Sequence, residues 1–295
     1  MSSAARRPPR RAGPLPFSTV YGVDFSGARL AGRTTWVART EVRRGGKGLR
    51  LVELVSLERA CGSPLRERAL AHLVEMIRRS EGALWAIDAP FGLPVEVMDP
   101  GMSWQGLTRF VHGWTTGGYE LGLWCLERAR ALGGPLHIYR ATDRAAKTPF
   151  DCYHYRIIYQ TFHVMRDVLW PLRRDTDTAV LPFHYARAAT ARRVLVETCP
   201  SSTLKRLGLP HHSYKQPEGG PLAPRRLRTR RAILEGLGAY VEVGAADRRR
   251  IMRDPGGDAL DAVIAAAGAA TAWASAPHEA IAYDARARRE GFLYA

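Results

Sequence analysis

The chain has 295 residues, of which 46% are hydrophobic and 24% charged, and a formal net charge of +16. That length buries a sizeable core and that balance excludes wholesale disorder. The longest apolar stretch, the alanine-rich Ala262–Ala274, falls short of the ~20 residues that a membrane-spanning helix needs. The basic surplus is almost all arginine, with lysine only at Lys47, Lys147, Lys205 and Lys215, and it attracts polyanions whatever its origin.

Residues 1–15 are basic and proline-rich with no apolar segment behind them, so they read as a disordered arm rather than a secretory signal. A single domain is expected over 16–295. The cysteines Cys61, Cys125, Cys152 and Cys199 form no C-x-x-C pair, which argues against a zinc knuckle or a disulfide framework. Together these features lead us to expect a cytoplasmic protein.

Three strands are predicted first: Ser18–Phe25, Thr34–Val42 and Leu49–Leu57, the last two joined by a glycine-rich hairpin turn. Residues 64–80 read as a helix, with Leu70, Leu73, Val74 and Ile77 at helical spacing. Ala83–Asp88 is a continuous apolar run ending in a carboxylate, the pattern of a strand buried on both faces. Residues 95–190 are expected to form a largely helical insertion, with helices over Tyr119–Leu132 and Tyr153–Leu169; Tyr155, Tyr159 and Phe162 would share one core-facing stripe. Arg193–Glu197 is a further apolar strand, Ser201 and Ser202 can cap a short helix after Pro200, and residues 215–231 lead through a loop into a basic helix. Asp258–Ala274 closes the pattern as an alanine-rich helix.

Three apolar strands thus end in Asp24, Asp88 and Glu197. A carboxylate there is costly unless compensated, but at the C-terminal end of a strand it can reach a ligand crevice. Asp258 and Asp261, three residues apart, share one helical face, while Leu260, Val263 and Ile264 fall elsewhere. Ala262 and Ala265 are small enough for close approach to another element. Carboxylates gathered together repel one another unless cations intervene, and Mg²⁺ or Mn²⁺ takes oxygen ligands of this kind. Two such ions about 3.5–4 Å apart can serve phosphodiester hydrolysis.

The order of elements is that of an RNase H-like core: a strand with Asp, two strands in hairpin order, a helix, a strand with Asp, and a last helix with D-x-x-D. The motifs Gly22-Val23-Asp24-Phe25-Ser26-Gly27, Ala86-Ile87-Asp88-Ala89-Pro90-Phe91-Gly92-Leu93-Pro94 and Arg140-Ala141-Thr142-Asp143 stand in this order. They are followed by Glu197-Thr198-Cys199-Pro200-Ser201, Tyr214-Lys215, Gly257-Asp258-Ala259-Leu260-Asp261-Ala262 and Glu290-Gly291-Phe292-Leu293-Tyr294. In that order they resemble the "domain of unknown function 429" family, over a span from about residue 20 to the C-terminus. The resemblance implies an α/β, RNase H-like (RuvC-type) fold and a nuclease activity. Asp24, Asp88, Asp258 and Asp261 would then be metal ligands, with Glu197 a further catalytic carboxylate.

Asp143, Lys215, Arg225, Arg226 and Arg228 are candidate substrate contacts, the arginines as phosphate neutralisers in a cluster that runs on to Arg230 and Arg231. The expected partner is DNA or RNA. Two other classes fit less well. A non-catalytic nucleic-acid-binding module would bind without turnover. An ATPase or phosphotransferase on an actin-like core would need a second glycine-rich phosphate loop, where Ala86–Pro94 offers only Gly92.

Overall fold

A computed structural model describes residues 15–43, 45, 48–216 and 219–295. The expected basic arm lies outside the described residues apart from Leu15, which packs against the core, and so does part of the glycine-rich turn. Seven strands form one mixed sheet: β1 (Thr19–Asp24), β2 (Trp36–Val42), β3 (Leu49–Ser56), β4 (Ala83–Asp88), β5 (Thr178–Val180), β6 (Arg193–Glu197) and β7 (Val241–Glu242). Their order across the sheet is β5-β6-β4-β1-β2-β3-β7. β1, β2 and β3 form an antiparallel meander, while β4 is parallel to both β1 and β6.

Side chains of a strand alternate between faces, so each strand feeds two cores. Val20, Leu84, Ala86, Val194 and Val196 pack with the Asp258–Ser275 helix on one face. Val23, Trp85, Ile87 and Leu195 pack on the other with the Arg66–Arg79 helix, through Ala69, Leu70, Leu73, Val74 and Ile77, and with the helices of the 95–190 segment. That both faces are covered explains why β4 and β6 lack polar alternation. The result is an α/β protein with a seven-stranded mixed sheet flanked by helices. Among the described residues, no helix is long and apolar enough to cross a membrane.

The 95–190 segment differs from expectation in three places. It contributes the edge strand β5, too short at three residues to leave a periodic signal. Helix over 153–157 does not form: the Asp151 carboxylate accepts the Tyr153 N–H at 3.1 Å and the chain turns there, so the helix starts at Ile158. Phe162 is buried as expected, but Tyr155 and Tyr159 are exposed because no continuous stripe joins them. Nearer the site, the Pro200–Arg206 helix has Cys199 as its N-cap and no side-chain cap, so Ser201 and Ser202 lie inside its first turn rather than ahead of it.

The Asp258–Ser275 helix lies directly on β1. A Cβ on Gly22 would sit 2.0 Å from the Ala262 carbonyl oxygen and 2.5 Å from the Ala266 nitrogen. Both neighbours are backbone, so no rotamer change relieves the overlap. Gly22→Ala should therefore lower stability by about 3 kcal/mol or more. Urea titration would measure this, and an unchanged midpoint would mean that the helix does not rest on this strand.

Candidate functional site

β1 and β4 pair in register, Gly22 beside Ala86 and Asp24 beside Asp88. Alternation sends both aspartates to the face covered by the Asp258–Ser275 helix, at the end where that helix begins. There Asp24, Asp88 and Asp261 each offer a carboxylate oxygen, all within 4.8 Å of one another. Asp24 and Asp261 are buried, whereas Asp88 and Asp258 are half-buried at the mouth of the cluster. Asp258 lies close enough for its charge to act on Asp24 and Asp261, but it is not one of the converging three.

Asp258 is not the helix cap. The Asp254 carboxylate accepts the Ala259 N–H at 2.9 Å and takes that role, leaving the Asp258 carboxylate free of backbone duty. Gly257 precedes the helix at φ +85°, and a Cβ there would press on the Lys215 side chain at 3.1 Å. The Asp258 carboxylate lies over Gly256, its oxygens 2.9 Å from where a Cβ would stand.

Asp261 is held from two sides. The Tyr214 hydroxyl donates to its Oδ1 at 2.9 Å, and the Lys215 ammonium pairs with its Oδ2. Lys215 keeps part of its side chain exposed. Tyr214 and Lys215 are in turn positioned by Arg230. Its guanidinium is fully buried and donates to the carbonyls of Tyr214, Ile251, Asp254 and Pro255. Arg230 therefore joins the Lys215 loop to the loop preceding Asp258, with four of its five N–H donors committed to those carbonyls and its side chain buried away from any phosphate. This corrects its place in the expected basic cluster. Arg225 and Arg228 are exposed, and Arg226 donates to the Lys215 carbonyl, which ties the start of the Pro224–Leu237 helix to the site.

Four carboxylates thus share one ammonium. Burial pushes the Asp88 carboxyl up to about 8, with the Asp261 charge adding to the effect and Lys215 opposing it. Burial likewise raises Asp24 well above the carboxylate range, with Lys215 opposing and Asp258, Asp261 and Asp88 adding. Asp258 is pushed to about 7 by burial and by Asp254. Lys215 is held charged against its burial by Asp261 and Asp24.

Glu197 and Asp143 lie elsewhere. β6 places Val196 on the helix side of the sheet, so Glu197 points to the opposite face. There it meets Arg140, a fully buried arginine that bridges it to Asp143: Arg140 Nη1 donates to Glu197 Oε2 at 2.8 Å, and Nε and Nη2 each donate to Asp143 at 2.8 Å. Nη2 also bonds Glu197 Oε1, and Nη1 reaches the Glu290 carbonyl at 3.0 Å. Phe91 N donates to Glu197 at 2.9 Å, and Tyr294 N donates to the Glu197 carbonyl at 2.8 Å. The motifs around Arg140, Glu197 and Glu290 therefore meet in one buried ionic network beneath the cluster. Sequence reasoning missed Arg140, Tyr214 and Arg230 as organising residues, although Arg140 and Tyr214 stand within the quoted motifs. Burial, which gives each its task, is not visible at a single arginine or tyrosine. Cys199, beside Asp88, is no candidate nucleophile, because burial pushes its thiol up to about 12.

Comparison with protein-family models, with curated proteins and with solved structures gives no match to this chain.

The raised carboxyls make stability depend on pH in a definite direction. Their folded-state values lie above the ~4 of an unfolded chain, so protonation favours the native state. This contribution is complete below pH ~4 and is lost as pH rises through about 7 for Asp258 and about 8 for Asp88. In chelator, the wild-type melting temperature should fall across this window, and Asp88→Asn should flatten the fall and melt higher than wild type at its alkaline end. Calorimetry over a pH series would test this, and identical slopes in the two proteins would show that Asp88 ionises without penalty.

Proposed function

We propose that this chain is an Mg²⁺- or Mn²⁺-dependent nuclease built on an RNase H-like core, and that it hydrolyses phosphodiester bonds at Asp24, Asp88, Asp258 and Asp261. The observation that carries the reading is the convergence of Asp24, Asp88 and Asp261 from two adjacent strands and a helix start. Its topological support is a β1–β2–β3 meander beside a parallel β4, with the closing helix on β1. The resemblance to the "domain of unknown function 429" family points the same way, since its motifs supply these carboxylates.

The donor set suits a hard divalent cation. Three carboxylate oxygens within 4.8 Å of one another can gather about one divalent ion, with small side-chain adjustments for bonds as short as the ~2.1 Å of Mg²⁺. Asp24, Asp88 and Asp261 would hold it, and Asp258 supplies the further carboxylate that a second ion requires. Bound there, such an ion supplies Lewis-acid polarisation and lowers the pKa of water. The chain's own groups do the rest. Tyr214 fixes the orientation of Asp261, while Lys215, whose side chain is part-exposed, would bring its ammonium from Asp261 toward a phosphate oxygen. The exposed Arg225 and Arg228 lie on the helix anchored beside Lys215 and suit the flanking phosphates of DNA or RNA. The actin-like alternative lacks support, because Gly92 packs against the Glu290 backbone instead of opening a second phosphate loop.

Highly purified wild-type protein should cleave nucleic acid with Mn²⁺ and not with chelator, and Asp24→Asn purified in parallel should be slower by about 100-fold or more. Equal cleavage by both would assign the activity to a contaminant. In calorimetric Mn²⁺ titrations, Asp261→Asn should weaken binding more than Asp258→Asn, because only Asp261 belongs to the converging three. Wild-type affinity in Asp261→Asn would remove this helix from the site.

A further inference from the structure

Asp88 also lines a cavity that Asp24, Asp258 and Asp261 do not reach. It runs between the Pro90 turn, the Thr148–Phe150 segment and the β6–helix junction, with a volume of about 60 Å³. That exceeds the ~10–15 Å³ needed to admit a single water, so the cavity has room for a small ligand group. Its walls are mostly flat and apolar, formed by Pro90, Pro149, Phe150, Ile157 and Leu293. The one arginine in its lining, Arg140, is already shared by Asp143 and Glu197, so the cavity offers nothing to an anion.

One polar group in this wall has no structural task. Thr198 is 1% exposed, and its hydroxyl has no hydrogen-bond partner among the described residues, although its backbone N–H bonds Ile87 at 3.0 Å. A buried hydroxyl without a partner costs stability, and valine would fill the same space without that cost. Gln160, also in the lining, donates its Nε2 to the Phe25 carbonyl at 2.8 Å and leaves its Oε1 uncommitted among the described residues. A small, mostly apolar-walled pocket that adds one unpartnered hydroxyl and one amide oxygen to the carboxylates of Asp88, Asp143 and Glu197 suits a neutral, planar ligand that carries its own donors.

We propose that this cavity receives one unpaired nucleobase of the substrate, hydrogen-bonded by Thr198 and packed against Phe150, while its phosphate lies across Asp88 at the acidic cluster. The inference rests on the nuclease reading and adds the substrate class to it. A base stacked inside a duplex cannot enter a pocket, so the substrate is a single strand or an extruded nucleotide.

Two measurements separate this inference from the nuclease reading. The first titrates metal-free protein with uridine and with adenosine, followed by NMR. At least one should bind the wild type, and Thr198→Val should bind it about five- to tenfold more weakly while melting at or above the wild-type temperature. The melting comparison shows that the variant is folded. The second compares Mn²⁺-dependent cleavage of a single strand with cleavage of its duplex, and the single strand should be cut at least about tenfold faster. Failure of both nucleosides to bind at millimolar concentration, equal binding by Thr198→Val, or equal cleavage of the duplex would each overturn the pocket. Thr198-dependent nucleoside binding with no cleavage of any substrate would sustain the pocket and defeat the nuclease reading.

Discussion

The structure depends on the in-register pairing of β1 with β4. Parallel pairing alone would bring two strand ends together. Register adds that Gly22 stands beside Ala86 and Asp24 beside Asp88, so the two small residues and the two acids fall on one face in matching positions. The small residues admit a helix at backbone contact, and the acids then meet the first turn of that helix. Close approach and charge convergence are therefore one geometric fact. A bulkier residue at position 22 would lift the helix and carry Asp261 away from its partners.

Gathering carboxylates in a half-buried place opposes folding, and the chain meets that cost by framing the site with arginine. Arg230 ties together the two loops that carry Lys215 and Asp258, and Arg140 gathers Glu197 and Asp143 below. Lys215 offsets the charge of Asp24, Asp88 and Asp258 and pairs directly with Asp261, while Arg230 adds a weaker opposing charge at Asp258. The frame arginines together make nine hydrogen bonds among the described residues, while the site is under-compensated. That contrast is expected where a ligand, rather than the fold, completes the balance.

Much of this was legible in the sequence. β4 and β6 match their apolar runs residue for residue, because a strand buried on both faces leaves a continuous signal bounded by polar residues. The Asp258 helix and the aspartates of the cluster were legible for the same reason, since each acid interrupts an apolar pattern at its edge. The side to which Glu197 points was not. It follows from counting alternation along β6 from Val194, and that count needs the sheet to say which face carries the helix. Arg230 was hidden differently: among five arginines in seven residues, nothing local separates the buried one from those in solvent. β5 and β7 are too short for any period, and both exist only because a neighbouring strand offers them an edge.

The choice of arginine for the frame has a chemical consequence. A guanidinium keeps its proton over the whole range in which carboxylic acids and imidazoles exchange theirs. The bonds that Arg230 and Arg140 make to carbonyls and carboxylates therefore stay intact while protons enter and leave the aspartates above them. Lysine in either place would add a group whose own charge yields to burial. The arginines of the frame thus hold their charge while the acidic cluster above them is titrated or filled with a cation.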